Sequence, residues 1–207
     1  MTCLRGLWRA LFVAALAMLG GCAGAPVRHP GNVCQVFGQH PSWYDDAHAV
    51  QRRWGTPVGV LMAFVWHESG YRRHARPKRH WFLFIPLPRK SSAYGYAQIQ
   101  GPAWHDYRKA TGGHFKSRSD MGDALDFVGW YTALAHRELG IPLTDAEHLY
   151  IAYYEGIGGY RSGAWRHDRQ LLEIASGVAS RARLYQAQLR YCEQRLRCRH
   201  WYQFFCR

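Results

Sequence analysis

"PVGVLMAFVWHES", residues 57–69, is the run on which the reading of this chain turns. Thr56 and Pro57 offer an N-cap and a first-turn proline, and the apolar residues that follow predict a helix ending at Glu68 and Ser69. Three, four and seven residues before Glu68 stand Val65, Phe64 and Leu61, which share its face of that helix. The carboxyl group therefore emerges beside an apolar wall. Burial there disfavours the charged form and turns a carboxyl into a proton donor near neutral pH. The partial negative charge of a helix C-terminus pushes the same way, whereas Arg72 and Arg73 oppose it if they approach. The alternative is a surface salt bridge between Glu68 and one of these arginines. Glu68 is the sole acid between Asp46 and Asp106, and it stands just ahead of a basic run, 72–79.

Beyond this run, most of the chain reads as helix punctuated by Gly and Pro. "SWYDDAHAVQRRWG" has Ser42 as cap candidate and Gly55 as stop. "GPAWHDYRKATGG" ends at Gly112, and "SDMGDALDFVGWYTALAHRELG" carries Met121, Leu125, Val128, Tyr131, Leu134 and Ala135 on one stripe before Gly140. "TDAEHLYIAYYEG" starts with Thr144 and Glu147 in capping-box spacing and stops at Gly156. A last helical region spans about Asp168 to Arg197, with a break expected at Ser176 and Gly177. Between 71 and 94, "HWFLFIPLPRKSS" predicts a hairpin or extended flap. The fold class is mostly α, in a single domain.

The first 21 residues combine Arg5 and Arg9 with the apolar core "ALFVAALAML", the pattern of an export signal. That core is too short for a permanent transmembrane helix. "LGGC", ending at Cys22, resembles the bacterial lipoprotein box, in which the cysteine is acylated and becomes the first mature residue. The resemblance implies a membrane attachment through the N-terminal lipid, and Ala23 implies the periplasmic face of the outer membrane. The domain organisation expected is a signal over 1–21, a tether over 22–40 and a folded domain over 41–207. The net charge of +13 with His neutral favours anionic partners. An exported chain meets phospholipid head groups, lipopolysaccharide and peptidoglycan carboxylates before it meets nucleic acid, so nucleic acid is excluded as a partner.

Cys34, Cys192, Cys198 and Cys206 remain after the signal and the lipidation point, an even count that predicts two disulfides in an oxidising compartment. Every pairing ties Cys34 to the C-terminal segment. Their spacing lacks the close cysteine pair of structural zinc sites. "HESGY" places Tyr71 where a zincin needs its second histidine. No Gly-x-Ser-x-Gly elbow is present, and "GIGGY" follows an aromatic helix rather than a strand. Neither metal nor cofactor is implied. Trp81, Phe82, Phe84 and Trp104 are candidates for stacking on sugar faces, with core packing as the alternative.

Three motifs occur in order: Glu68–Ser69 after the apolar helix, "AYGYAQI" (93–99) and "AYYEGIGGY" (152–160). Together they resemble the soluble lytic transglycosylases, whose domain has a goose-type lysozyme fold, over roughly residues 42–185. The resemblance implies Glu68 as general acid and base and Ser69 as its hydrogen-bonding support. It implies Gly95 and Gln98 shaping a glycan groove with Tyr94 beside them, and Tyr153 leaning toward the glutamate. Tyr154 and Glu155 depart from the Asn and Ala usual in that family, and a phenol at 154 can still donate a hydrogen bond to substrate. The stretch between Glu68 and Gly95 is longer than usual, adding an insert after the catalytic helix.

A lone carboxylate suits that chemistry. Glycoside hydrolysis ordinarily uses two carboxyl groups, but one suffices if the N-acetylmuramic acid's own 6-hydroxyl attacks C1 and closes a 1,6-anhydro ring. The partners implied are peptidoglycan glycan strands and envelope proteins of unknown identity. The alternatives are a hydrolytic muramidase and a non-catalytic peptidoglycan-binding lipoprotein.

Overall fold

The structure, a computed structural model, describes residues 26–78, 81–82, 85–86 and 91–197. The expected signal, Cys22, Cys198, Cys206 and the side chains of Trp81, Phe82 and Phe84 lie outside the described residues. The elements are α1 (Val33–Gln39), α2 (Pro41–Trp54), α3 (Val58–Ser69), β1 (Trp81–Phe82), β2 (Ile85–Pro86), α4 (Gly101–Thr111), α5 (Met121–Leu139), α6 (Ala146–Ser162), a 3₁₀ turn (Ala164–His167) and α7 (Arg169–Arg197). The expected mostly α architecture holds. The insert contains a minimal antiparallel hairpin, with Trp81 opposite Pro86 and Phe82 opposite Ile85.

Helix α3 is the axis of the domain. Every residue from Val58 to Val65 is buried, and a helix apolar all round has to be surrounded. It is wrapped by α7, α5 and α2. The approach to α7 is close: a Cβ on Gly59 would stand 2.7 Å from the Ala182 carbonyl oxygen, so the α3–α7 contact requires glycine there.

Several local readings are corrected by packing. Pro41, with its preset φ, opens α2 one residue before Ser42, and His40 is the N-cap. Thr56 does not cap α3, because its hydroxyl pairs with that of Thr132 at 2.6 Å in the core, while the Val58 N–H donates to Gln51 Oε1. Asp145, not Thr144, caps α6 by accepting from the His148 N–H. At Gly156 the backbone leaves helical geometry (φ 78°, ψ 165°), yet α6 resumes and runs to Ser162. Helix α7 passes through Ser176 and Gly177 unbroken: Ala175, Val178 and Ala179 are buried there, and that packing outweighs the roughly 1 kcal/mol that glycine costs inside a helix.

The expectation of a tether over 22–40 fails for residues 33–39. Residues 33–39 form α1, whose Val33, Val36 and Phe37 are fully buried. Cys34 is disulfide-bonded to Cys192 on α7, 158 residues away, in keeping with the expected tie between Cys34 and the C-terminal segment. Around it, Gln188 accepts from the Val33 N–H and donates to the Gly31 carbonyl, and Tyr185 donates to the Pro30 carbonyl.

A polar knot fastens α5 to its neighbours. Asp126, buried on α5, accepts from Trp54 Nε1 at 2.6 Å and from the Tyr107 hydroxyl at 2.5 Å. It also pairs with Lys116 and with Arg53. One carboxylate thus links α2, α4 and the 112–120 loop. Trp104 packs beside Tyr107 and Phe127 in the core, 8% exposed, so it is not a sugar-stacking surface.

Candidate active site

Glu68 sits in the last turn of α3, which ends at Gly70 in a left-handed conformation. Ser69 does not support the carboxylate directly. Its hydroxyl donates to the Val65 carbonyl and accepts from the Arg72 N–H, which fixes the turn that carries the chain away. The two arginines that follow Glu68 are engaged elsewhere: Arg72 Nε donates to the Ser69 carbonyl and Arg73 Nε to that of Ser119. The surface salt bridge is therefore not formed.

Among the described residues, the hydrogen-bond partner of Glu68 is Tyr150, whose hydroxyl donates to Oε1 at 2.9 Å. The carboxyl is partly accessible from a cavity, yet protein surrounds it on nearly every other side. Burial pushes its pKa up to about 7, and the Tyr150 hydrogen bond, which favours the ionised form, opposes part of that rise. The site thus holds a carboxyl that is largely protonated at slightly acid pH, able to donate a proton and take one back.

The cavity above it has a volume of about 900 Å³, within the range of ligand sites. His67, Gln98, Tyr131, Tyr153, Tyr154 and Glu155 share its lining with Glu68. His67 stands edge-on to Tyr150 at 5.1 Å, and burial lowers its pKa. Tyr154 is 61% exposed and free to meet a ligand. Glu155 is also exposed, so Glu68, isolated along the sequence, shares its cavity with a second carboxylate.

The tyrosine expected to lean on the glutamate does other work. Tyr153 donates its hydroxyl to the Ala97 carbonyl at 2.7 Å and so ties α6 to the 93–99 loop. Tyr150, one turn earlier on the same face of α6, makes the contact with Glu68 instead. That spacing is the signal that could have found it.

The 93–99 loop is shaped by backbone demands. Gly95 has φ +82°, donates its N–H to the Ala75 carbonyl at 3.0 Å, and lies so close to Arg118 that a Cβ would fall 1.9 Å from its carbonyl oxygen. Only glycine fits there. Gln98, itself at φ +47°, donates Nε2 to both the Ala75 and Gly95 carbonyls at 2.9 Å. Gln98 therefore braces the cavity wall with its amide nitrogen, and Gly95 shapes the loop from behind. Tyr94 is drawn away from the cavity lining toward His74, Arg76 and Arg118.

Among the described residues no group of His, Cys, Asp and Glu is arranged to hold a metal ion, and no helix is long and apolar enough to cross a membrane. A family model described as a transglycosylase SLT domain matches residues 10–192. No curated protein and no solved structure matches the chain.

Proposed function

The chain belongs to the transglycosylase SLT domain family, which supports a lytic transglycosylase-type function on peptidoglycan, and from that premise we propose that Glu68 is its single acid and base. Protonated Glu68 donates to the glycosidic oxygen between N-acetylmuramic acid and N-acetylglucosamine as that bond breaks. The resulting carboxylate then takes the proton of the 6-hydroxyl of the same muramic acid as its oxygen bonds to C1. The product end is 1,6-anhydro, water is not consumed, and Glu68 finishes as it began. An attacking group already attached to the reacting sugar has the rate advantage of an intramolecular reaction. The observation that carries this reading is a carboxyl with pKa near 7, held by one phenol at the base of a large aromatic-lined cavity.

Incubation of the protein with purified sacculi, followed by mass spectrometry of the soluble fragments, tests it: anhydro ends are expected. Glu155, facing the same cavity, favours a second reading in which it positions a water and the enzyme is a hydrolase; reducing ends would establish that one. Binding without release of fragments would leave a non-catalytic peptidoglycan-binding protein. The leader and the "LGGC" motif support anchoring through Cys22 at the periplasmic face of the outer membrane, which radiolabelled palmitate incorporation into wild type and not into Cys22→Ser would test.

The acid role fixes the sign of the pH dependence. Glu68 is competent while protonated, so kcat/KM is full at mildly acid pH and declines as pH rises through about 7. Tyr150→Phe removes a hydrogen bond to the ionised form, and the alkaline limb of the profile should move up by about one pH unit, the equivalent of one charge-assisted hydrogen bond. An unmoved limb would mean that the phenol does not touch the titrating group.

A further inference from the structure

Two guanidinium groups share one phenol ring beside the cavity. The Cζ atoms of Arg76 and Arg118 lie 4.3 and 5.3 Å from the centroid of Tyr94, and the Tyr94 hydroxyl meets His74 Nδ1 at 2.7 Å. The ring attracts each cation, which offsets part of their mutual repulsion. Among the described residues, the hydrogen bonds made by Arg118, to the Ser92 and Ile99 carbonyls, use Nη1, so these bonds leave its Nε–Nη2 edge unused. Arg76 is exposed. The ion pairs among the described residues involve other arginines, Arg53, Arg137, Arg161 and Arg197. Burial works against the charge of Arg118, and Arg76 adds to that opposition. Positive charge is therefore gathered on Tyr94, and no ion pair among the described residues balances it.

The place of this cluster is as telling as its charge. Pro77 follows Arg76 and Ala93 precedes Tyr94, and both Pro77 and Ala93 line the cavity that contains Glu68. The backbones of 75 and 95 are hydrogen-bonded to each other, so the cluster is fixed to the cavity wall. Arg76, Tyr94 and Arg118 do not themselves line the cavity, so an anion taken there would be one that the cavity's occupant carries outside it. Guanidinium forks match planar carboxylates with two parallel hydrogen bonds.

We propose that Arg76 and Arg118, mounted on Tyr94, form a carboxylate subsite at the cavity rim that takes an acidic group of the peptides borne by peptidoglycan strands. The proposal rests on the peptidoglycan reading above and adds a preference for peptide-bearing over bare glycan. Arg118 braces two backbone carbonyls, so the informative variants are Arg76→Ala and Arg76→Gln, with the full chain and two substrates: strands with peptides intact and strands stripped of them by an amidase. The ratio of kcat/KM for peptide-bearing over stripped strands should fall about ten-fold in both variants, the magnitude of one charge-assisted contact. An unchanged ratio would overturn the subsite.

Pelleting of peptide-bearing strands by Glu68→Gln, with and without Arg76→Ala, separates this proposal from the one on which it rests. Arg76-dependent retention with no cleavage by wild type would sink the lyase reading and keep the subsite. If Arg76→Ala instead weakened binding to vesicles containing phosphatidylglycerol and left the strand ratio unaltered, the cluster would be a lipid headgroup site and the carboxylate proposal would fail.

Discussion

Glu68→Gln is expected to lower kcat for release of soluble fragments from sacculi by about 10²–10⁴-fold, the contribution of a general acid and base, while binding to sacculi is retained. The amide keeps the shape of the carboxyl, and its oxygen can still accept from the Tyr150 hydroxyl, so the cavity wall stays in place. The substitution also has a stability signature. Wild-type Glu68 is raised from 4.5 to about 7, so the folded state holds its proton more tightly than the unfolded chain does. Its stability is full below the unfolded value, declines between about 4.5 and 7, and above that carries the whole penalty of a buried charge. A shift of that size corresponds to at most about 3 kcal/mol. Glu68→Gln escapes the penalty, so it should melt with wild type at pH 4 and above it at pH 8. Inactive protein with a higher melting temperature at alkaline pH is the outcome expected of a strained catalytic group. Full release of fragments by the variant would remove Glu68 from the mechanism.

The second large effect concerns the knot around Asp126. Asp126→Ala should destabilise the protein by about 3–5 kcal/mol, because it leaves the Lys116 ammonium, the Trp54 indole N–H and the Tyr107 hydroxyl without their acceptor. Burial alone would raise the Asp126 pKa, but hydrogen bonds from Lys116, Tyr107 and Trp54 outweigh it and leave the group below the usual carboxylate range. A depressed folded pKa contributes stability above the unfolded pKa and loses it as pH falls through the folded one. The gap between wild type and variant, measured by urea unfolding, should therefore be widest near pH 7 and close below about pH 4. A gap independent of pH would assign the effect to lost packing rather than to charge.

What sequence made legible was local. The end of α3 at Ser69 and the Gly55, Gly112 and Gly140 stops follow from propensity and left-handed caps, and each holds in the structure. What it missed was set by partners far along the chain. Tyr150 meets Glu68 across 82 residues, and Trp54 meets Asp126 across 72. Neither tyrosine nor tryptophan announces such a partner. Thr56 and Thr144 look like caps because nothing nearby reveals that one hydroxyl is needed in the core or that the neighbouring Asp145 serves better. The stretch just before residue 41 reads as a tether because Pro and Gly stand in it, whereas three buried side chains on α1 and the contacts of Pro30 and Gly31 hold residues 30–37 down. Gly95 was legible as a motif residue, but the reason for it, the backbone of Arg118, is 23 positions away in a different loop.

The clasp between α1 and α7 also orders events in time. As the chain is synthesised from its amino end, Cys34 and its neighbours emerge first and wait through 158 positions for the surface they rest on. Such distant closure is slow to find, so the early segment stays unsettled until α7 has arrived, and the state of the Cys34 thiol becomes a record of whether the two ends have met.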